Sequence, residues 1–151
     1  MNAHRLKAQD VAPEGMKLIR AVDAYLRQSA LGAQLIDLVK MRASQINGCA
    51  YCLDMHSKAM REQGESEQRI YLLDAWRESP LYTPRERAAL AWTEALTRIA
   101  ETHAPDVVYE ELRRHFSDKD LVDLTFLIGL INLLNRLAIS LRYEHPVEGK
   151  A

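Results

Sequence analysis

Cysteine is scarce in this 151-residue sequence: two residues, both inside the decapeptide Asn47 to His56, "NGCAYCLDMH". Strand signals are nearly absent, as are internal repeats, low-complexity tracts and linker-like stretches. An excess of either charge is missing too, since 20 Lys and Arg against 21 Asp and Glu leave a formal net charge of −1. That balance gives no electrostatic case for nucleic acid or an anionic membrane, and "LRRHF" (Leu112 to Phe116) is too short to act as a basic patch. The first fifteen residues lack the apolar run of a signal peptide, so a cytoplasmic location is expected. In a reducing compartment, two lone cysteines point to catalysis, redox chemistry or metal binding rather than to a permanent staple.

One long apolar run exists, Leu121 to Leu141, and it approaches the length of a membrane span. It carries Asp123, Asn132, Asn135 and Arg136, and a charge near a bilayer centre costs roughly 2.5–3.5 kcal/mol on insertion scales. A buried helix of a soluble protein is therefore expected. The 48% hydrophobic and 27% charged residues suit one domain over residues 1–151 with a single core.

What is present reads as helix. Leu18, Ile19, Val22, Tyr25 and Leu26 recur at three- and four-residue spacings within Met16 to Ser29, and Leu35 to Ile46 repeats the pattern before Asn47-Gly48 interrupts it. A further helix is expected from Cys49 to about Gln63, with Gly64 as its C-cap, and a short one from Ser66 to Trp76. Thr83-Pro84-Arg85-Glu86 combines a threonine cap, proline at the first helical position and glutamate at the third. The helix it opens is expected to run to about Thr102. Pro105-Asp106 opens another to near Phe116, and Ser117 with Asp120 caps the last, to about Tyr143, after which the tail from Glu144 is expected to fray. The fold class is all-α: a compact bundle of six or seven helices.

On such a helix Cys49, Cys52 and His56 share one face at i, i+3 and i+7. Two thiols one turn apart can close a disulfide, and the helix N-terminus favours thiolate. His56, one turn on, can accept a thiol proton. If Asn47-Gly48 turns the chain back, Asp37 reaches the level of His56, and a carboxylate facing a histidine facing a thiol is a proton relay in outline. Three readings compete. The pair is a redox dithiol, or Cys49, Cys52 and His56 hold zinc, or the residues are structural. Zinc is disfavoured because no second cysteine pair exists. Asp37 could equally sit on a wet helix face. Tyr51 packs or lines a pocket; Trp76, Trp92 and Tyr71 read as core or interface aromatics. His4, His103, His115 and His145 read as surface residues without companions.

The stretch "LIDLVKMRASQINGCAYCLDMHSKAMREQGES" (Leu35 to Ser66) resembles the alkylhydroperoxidase D-like branch of the carboxymuconolactone decarboxylase superfamily. The family motif is an acid, eleven residues, then CxxC and a histidine after three more; Asp37, Cys49, Cys52 and His56 fit it position by position. Similarity in character continues through "LYTPRERAALAWTEALT" and "FSDKDLVDLTFLIGLINLLNRLAI". The resemblance implies an all-helical thiol peroxidase acting on hydrogen peroxide or organic hydroperoxides, with no cofactor or metal. Cys52 is then the peroxidatic thiolate that becomes a sulfenic acid, and Cys49 resolves it to a disulfide that an external dithiol or protein reductant reopens. His56 and Asp37 move the proton. The decarboxylase branch lacks the cysteine pair, so muconolactone decarboxylation is disfavoured. Two positions depart from the pattern: the family acid is typically glutamate, one methylene longer than Asp37, and alkylhydroperoxidase D has histidine where Tyr51 stands. A tyrosine, titrating near ~10, cannot shuttle protons as imidazole does. Family members form homo-oligomers, trimers or hexamers, and a hexamer is expected because the last helix is apolar around much of its circumference. A disulfide reductase or redox relay, and a non-catalytic redox sensor, would use the same residues.

Overall fold

The structure is a computed structural model that describes residues 4–147. Residues 1–3 of the expected domain and residues 148–151 of the tail expected to fray lie outside that range. Every regular element among the described residues is helical: α1 (Ala8–Val11), α2 (Pro13–Arg27), α3 (Ala33–Asn47), α4 (Ala50–Glu62), α5 (Glu67–Tyr71) running into a 3-10 turn (Leu72–Ala75), α6 (Pro84–Thr97), α7 (Ile99–Thr102), α8 (Asp106–Arg113) and α9 (Asp118–Leu141). Apart from the four-residue α1 and α7, these are the expected helices. α1 falls in a stretch with no assigned element.

The caps are local and follow the sequence. Thr83 Oγ1 accepts from the Glu86 N–H at 3.2 Å while the Glu86 carboxylate accepts from the Thr83 N–H at 2.8 Å, a complete capping box at the start of α6. Ser117 Oγ caps α9 by accepting from the Asp120 N–H. Its hydroxyl also donates to the Asp120 carboxylate at 2.8 Å. The single helix expected from Pro84 to Thr102 breaks at Arg98 (φ −108°, ψ 37°). No proline or glycine stands there. Thr102 Oγ1 donates to the Ala95 carbonyl at 2.6 Å, and such side-chain capture competes with the backbone ladder.

α3 is the central element, packed against α4, α6 and α9. The apolar residues Ile36, Val39 and Ala43 of α3, Ala89 and Leu90 of α6, and Leu124, Leu127 and Ile131 of α9 are buried. Leu35 to Ser44 are buried without interruption, so α3 is covered on all sides rather than along one stripe. Trp76 and Trp92 are core residues, as read from the sequence, whereas Tyr71 is exposed. α9 is long and apolar enough to cross a membrane by length and composition. In the fold it lies against α2, α3, α6 and α8, with Asp123, Asn132 and Asn135 among its buried residues.

The end of α3 is pinned to α9 by amides. Asn47 Nδ2 donates to Asn132 Oδ1 at 3.0 Å and to Asn135 Oδ1 at 2.9 Å, and Asn135 Nδ2 donates to Ser44 Oγ at 3.0 Å. Asn135 and Ser44 are fully buried, so each lost partner leaves a polar group that water cannot serve. Asn135→Ala is expected to lower the unfolding free energy by about 1–3 kcal/mol. Ser140→Ala, on the exposed side of the same helix, should change it by less than about 0.5 kcal/mol. Urea unfolding of both variants checks this, and equal effects would remove the structural role of the amide cluster.

Candidate active site

Gly48 makes the turn on which the site depends. It adopts the left-handed conformation (φ 68°, ψ 37°) that glycine takes without steric cost. The Gly48 N–H bonds the Gln45 carbonyl and the Cys49 N–H bonds the Ser44 carbonyl at 3.0 Å, the paired bonds of a Schellman ending. The chain reverses, and α4 runs back along α3.

Cys49 is the N-cap of α4, and its Sγ accepts from the Cys52 N–H at 3.3 Å. The two cysteines are joined as a disulfide with Cα atoms 5.3 Å apart. Both are buried. When the disulfide opens, sulfur at this position lies among the unpaired N–H groups of a helix start, which stabilise thiolate. The two sulfurs are not equivalent. Cys52, and not Cys49, lines a small, partly enclosed chamber of about 60 Å³ whose walls include His56, Met55, Ile131 and Leu134. Cys49 instead packs with Ala138, Tyr51 and Tyr143.

Asp37 comes from α3 and His56 from the second turn of α4, and the turn at Gly48 brings them level. Asp37 is 1% exposed and His56 3%, so the wet-face reading of Asp37 is overturned: α3 is covered on every side. His56 Nδ1 faces Asp37 Oδ1 at 3.7 Å, close enough for charge to act and longer than a hydrogen bond. Asp37 Oδ1 and His56 Nε2 both lack a protein hydrogen-bond partner, so each has capacity for water or substrate. The other carboxylate oxygen accepts from the Gln63 side-chain amide. Burial alone pushes the Asp37 carboxyl up, but the His56 ring, the Gln63 amide and the more distant Arg27 together hold it below its ordinary 3.8. Asp37 is therefore an anion at neutral pH.

Asp37, Cys49, Cys52 and His56 thus converge as their spacing indicated. Sequence reasoning missed Gln63, although it lies seven residues after His56 and so continues the same helical face. It also missed Met16 of α2 and Tyr143 beyond α9, which line the chamber; no local signal marks them. Tyr51 lines the chamber, as read. Two of the histidines read as unaccompanied have companions: His4 stacks on Tyr143 with ring centroids 5.5 Å apart, and His115 Nε2 meets Glu111 at 3.2 Å.

The model of the carboxymuconolactone decarboxylase family matches residues 13–95, more than half of the chain, and the chain belongs to that family. It is 42% identical over 139 residues to the uncharacterized protein YdfG of Bacillus subtilis (strain 168), covering 92% of this chain and 95% of that one. A solved structure of a protein of unknown function from Agrobacterium tumefaciens, named as a candidate antioxidant defence protein AhpD, superposes with a TM-score of 0.93 at 50% identity. That match covers 97% of this chain and 100% of the other. An uncharacterized peroxidase-related protein from Silicibacter sp. TM1040 superposes with a TM-score of 0.79 at 26% identity, over 93% of this chain and 82% of that one. The fold is that of the AhpD-like proteins.

Because the folded-state pKa of Asp37 is depressed, its contribution to stability is whole above about pH 3.8 and is lost as pH falls through the folded value. Asp37→Asn is expected to be less stable than the wild type near neutrality, with the difference shrinking below that pH. Thermal unfolding followed from neutral pH into the acid range checks this; a difference that stays constant would show that the carboxylate charge contributes nothing.

Proposed function

We propose that this protein is a dithiol peroxidase that reduces hydrogen peroxide or organic hydroperoxides, with Cys52 as the attacking thiolate and Cys49 as the resolving thiol. The observation that carries the reading is the asymmetry of the pair: Cys52 and the buried His56 share the small chamber, while Cys49 sits at the helix cap outside its lining. The names of the Agrobacterium and Silicibacter neighbours point the same way.

In this mechanism the Cys52 thiolate attacks one peroxide oxygen, the O–O bond breaks, and Cys52 becomes a sulfenic acid. The departing alkoxide takes a proton and leaves as the alcohol, or as water when the substrate is hydrogen peroxide. In this reading His56 delivers that proton through Nε2, which has no protein partner, and the Asp37 anion stabilises the charged ring. The 3.7 Å separation makes Asp37 an electrostatic partner of His56; a proton passed between them needs a bridging water. Cys49 then attacks the Cys52 sulfur, water leaves, and the disulfide forms. An external dithiol or protein reductant in the cytoplasm reopens it by exchange. No cofactor or metal enters the cycle. Tyr51 contributes a wall and an aromatic edge to Tyr143, with centroids 5.5 Å apart, in place of a second imidazole.

The working unit in this reading is a homo-oligomer, with a hexamer favoured over a trimer. Val122, Phe126 and Leu133 fall on one exposed stripe of α9, and Leu18 and Val22 are exposed on the neighbouring α2; apolar surface of this kind is ordinarily covered by another chain.

Cys52→Ser should abolish peroxide consumption, and Cys49→Ser should allow a single turnover without recycling. Loss of both thiols after one equivalent of cumene hydroperoxide, with a Cys49–Cys52 bond located by mass spectrometry, is the expected wild-type result. Full activity in Cys52→Ser would sink the assignment. Light scattering at micromolar concentration should give the mass of a hexamer, and a monomer would remove the oligomer from the proposal.

A further inference from the structure

The chamber holding Cys52 and His56 shares three wall residues, Met16, Tyr51 and Tyr143, with a second and wider groove of about 470 Å³ at the surface. The inner space, about 60 Å³, is far below the roughly 300–1,000 Å³ of an ordinary ligand pocket; the outer groove falls within that range. A hydroperoxy group fits the inner space, and the carbon body attached to it does not.

The outer groove is apolar on one side and charged on the other. Tyr51, Tyr143, Met16 and Ala8 form the apolar part, and Lys7, Arg20 and Glu144 line the rest. Lys7 and Arg20 are exposed, and among the described residues neither has an ion-pair partner. Arg20 reaches only the side-chain oxygen of Gln9. Two cations against one carboxylate leave the lining net positive.

We infer that this groove binds the organic part of the substrate, and that the substrate class is an amphiphilic hydroperoxide with an anionic end, of which a fatty-acid hydroperoxide is the type. The inference rests on the peroxidase reading and makes it specific. The hydroperoxy group enters the chamber beside Cys52, the chain lies along Met16, Tyr51 and Tyr143, and the carboxylate meets Lys7 and Arg20. Glu144 on the same lining opposes a second negative charge, which favours a monoanion. The aromatic wall supplies contact area without selecting among chains. The cations supply the discrimination, because a carboxylate forms ion pairs with them, stronger than the hydrogen bonds a neutral ester carbonyl can accept.

The test compares linoleic acid hydroperoxide with its methyl ester, reading the second-order rate of thiol loss in the reduced protein. The acid is expected to react about tenfold faster, equivalent to about 1.4 kcal/mol. In the double variant Lys7→Gln/Arg20→Gln the ratio of acid to ester should fall close to one. A ratio near one in the wild type, or a preference that survives in the variant, overturns the inference. Calorimetry on Cys52→Ser with the corresponding unreactive hydroxy acid and its methyl ester separates the two possible failures. Tighter binding of the acid there, with no thiol reaction in the wild type, sinks the peroxidase reading and keeps the groove. Equal or absent binding of acid and ester sinks the groove, whatever the thiols do.

Discussion

Everything in this fold hangs on burying α3 on all sides while it carries four polar side chains in its buried stretch. An apolar helix could be covered by any greasy neighbour, but a buried charge must be paired at a definite place. Lys40 meets Asp23 of α2. Arg42 reaches Glu94 of α6, at 2.8–2.9 Å, and Asp74 of the 3-10 turn. Ser44 accepts from Asn135 of α9, and Asp37 meets His56 of α4 and Gln63, the residue that caps the end of α4. The partners come from α2, α4, α6, α9 and the 3-10 turn, so the polar residues of one helix set the register of its neighbours.

The site is a by-product of that arrangement. Pinning the end of α3 to α9 through Asn47, Asn132 and Asn135 holds the turn at Gly48, and that turn places the cysteine pair at a helix start against α9. Burial then does two opposed things. It would raise the Asp37 carboxyl if acting alone, and it strengthens the contacts to His56 and Gln63 that hold the carboxyl ionised. A buried anion beside a histidine, both with an atom unserved by protein, leaves hydrogen-bonding capacity that the fold itself does not use, and such arrangements concentrate at functional sites.

Much of this was legible because its causes are short-range. The capping box at Thr83, the break at Asn47-Gly48 and the spacing of Cys49, Cys52 and His56 involve hydrogen bonds or helical faces spanning only a few residues. The break at Arg98 was not legible, since it follows from the Thr102 hydroxyl taking the Ala95 carbonyl, a choice that propensity does not decide. The all-round burial of α3 was hidden for a related reason: Asp37, Lys40 and Arg42 read as a polar face until their partners are known. Family membership, shown by the match over residues 13–95, places the motif but says nothing of the gap between Asp37 and His56.

The sequence by itself determined the helical class, the break at Asn47-Gly48 and the spacing of two thiols and an imidazole at the start of one helix, because each is set by local backbone chemistry. Only the tertiary structure decided which sulfur faces a cavity, that Asp37 is dry, and that Met16 and Tyr143, 127 positions apart in the chain, form one wall beside Cys52. Those outcomes depend on how α2, α4 and α9 pack around α3, and packing is governed by pairings between residues that no local pattern connects.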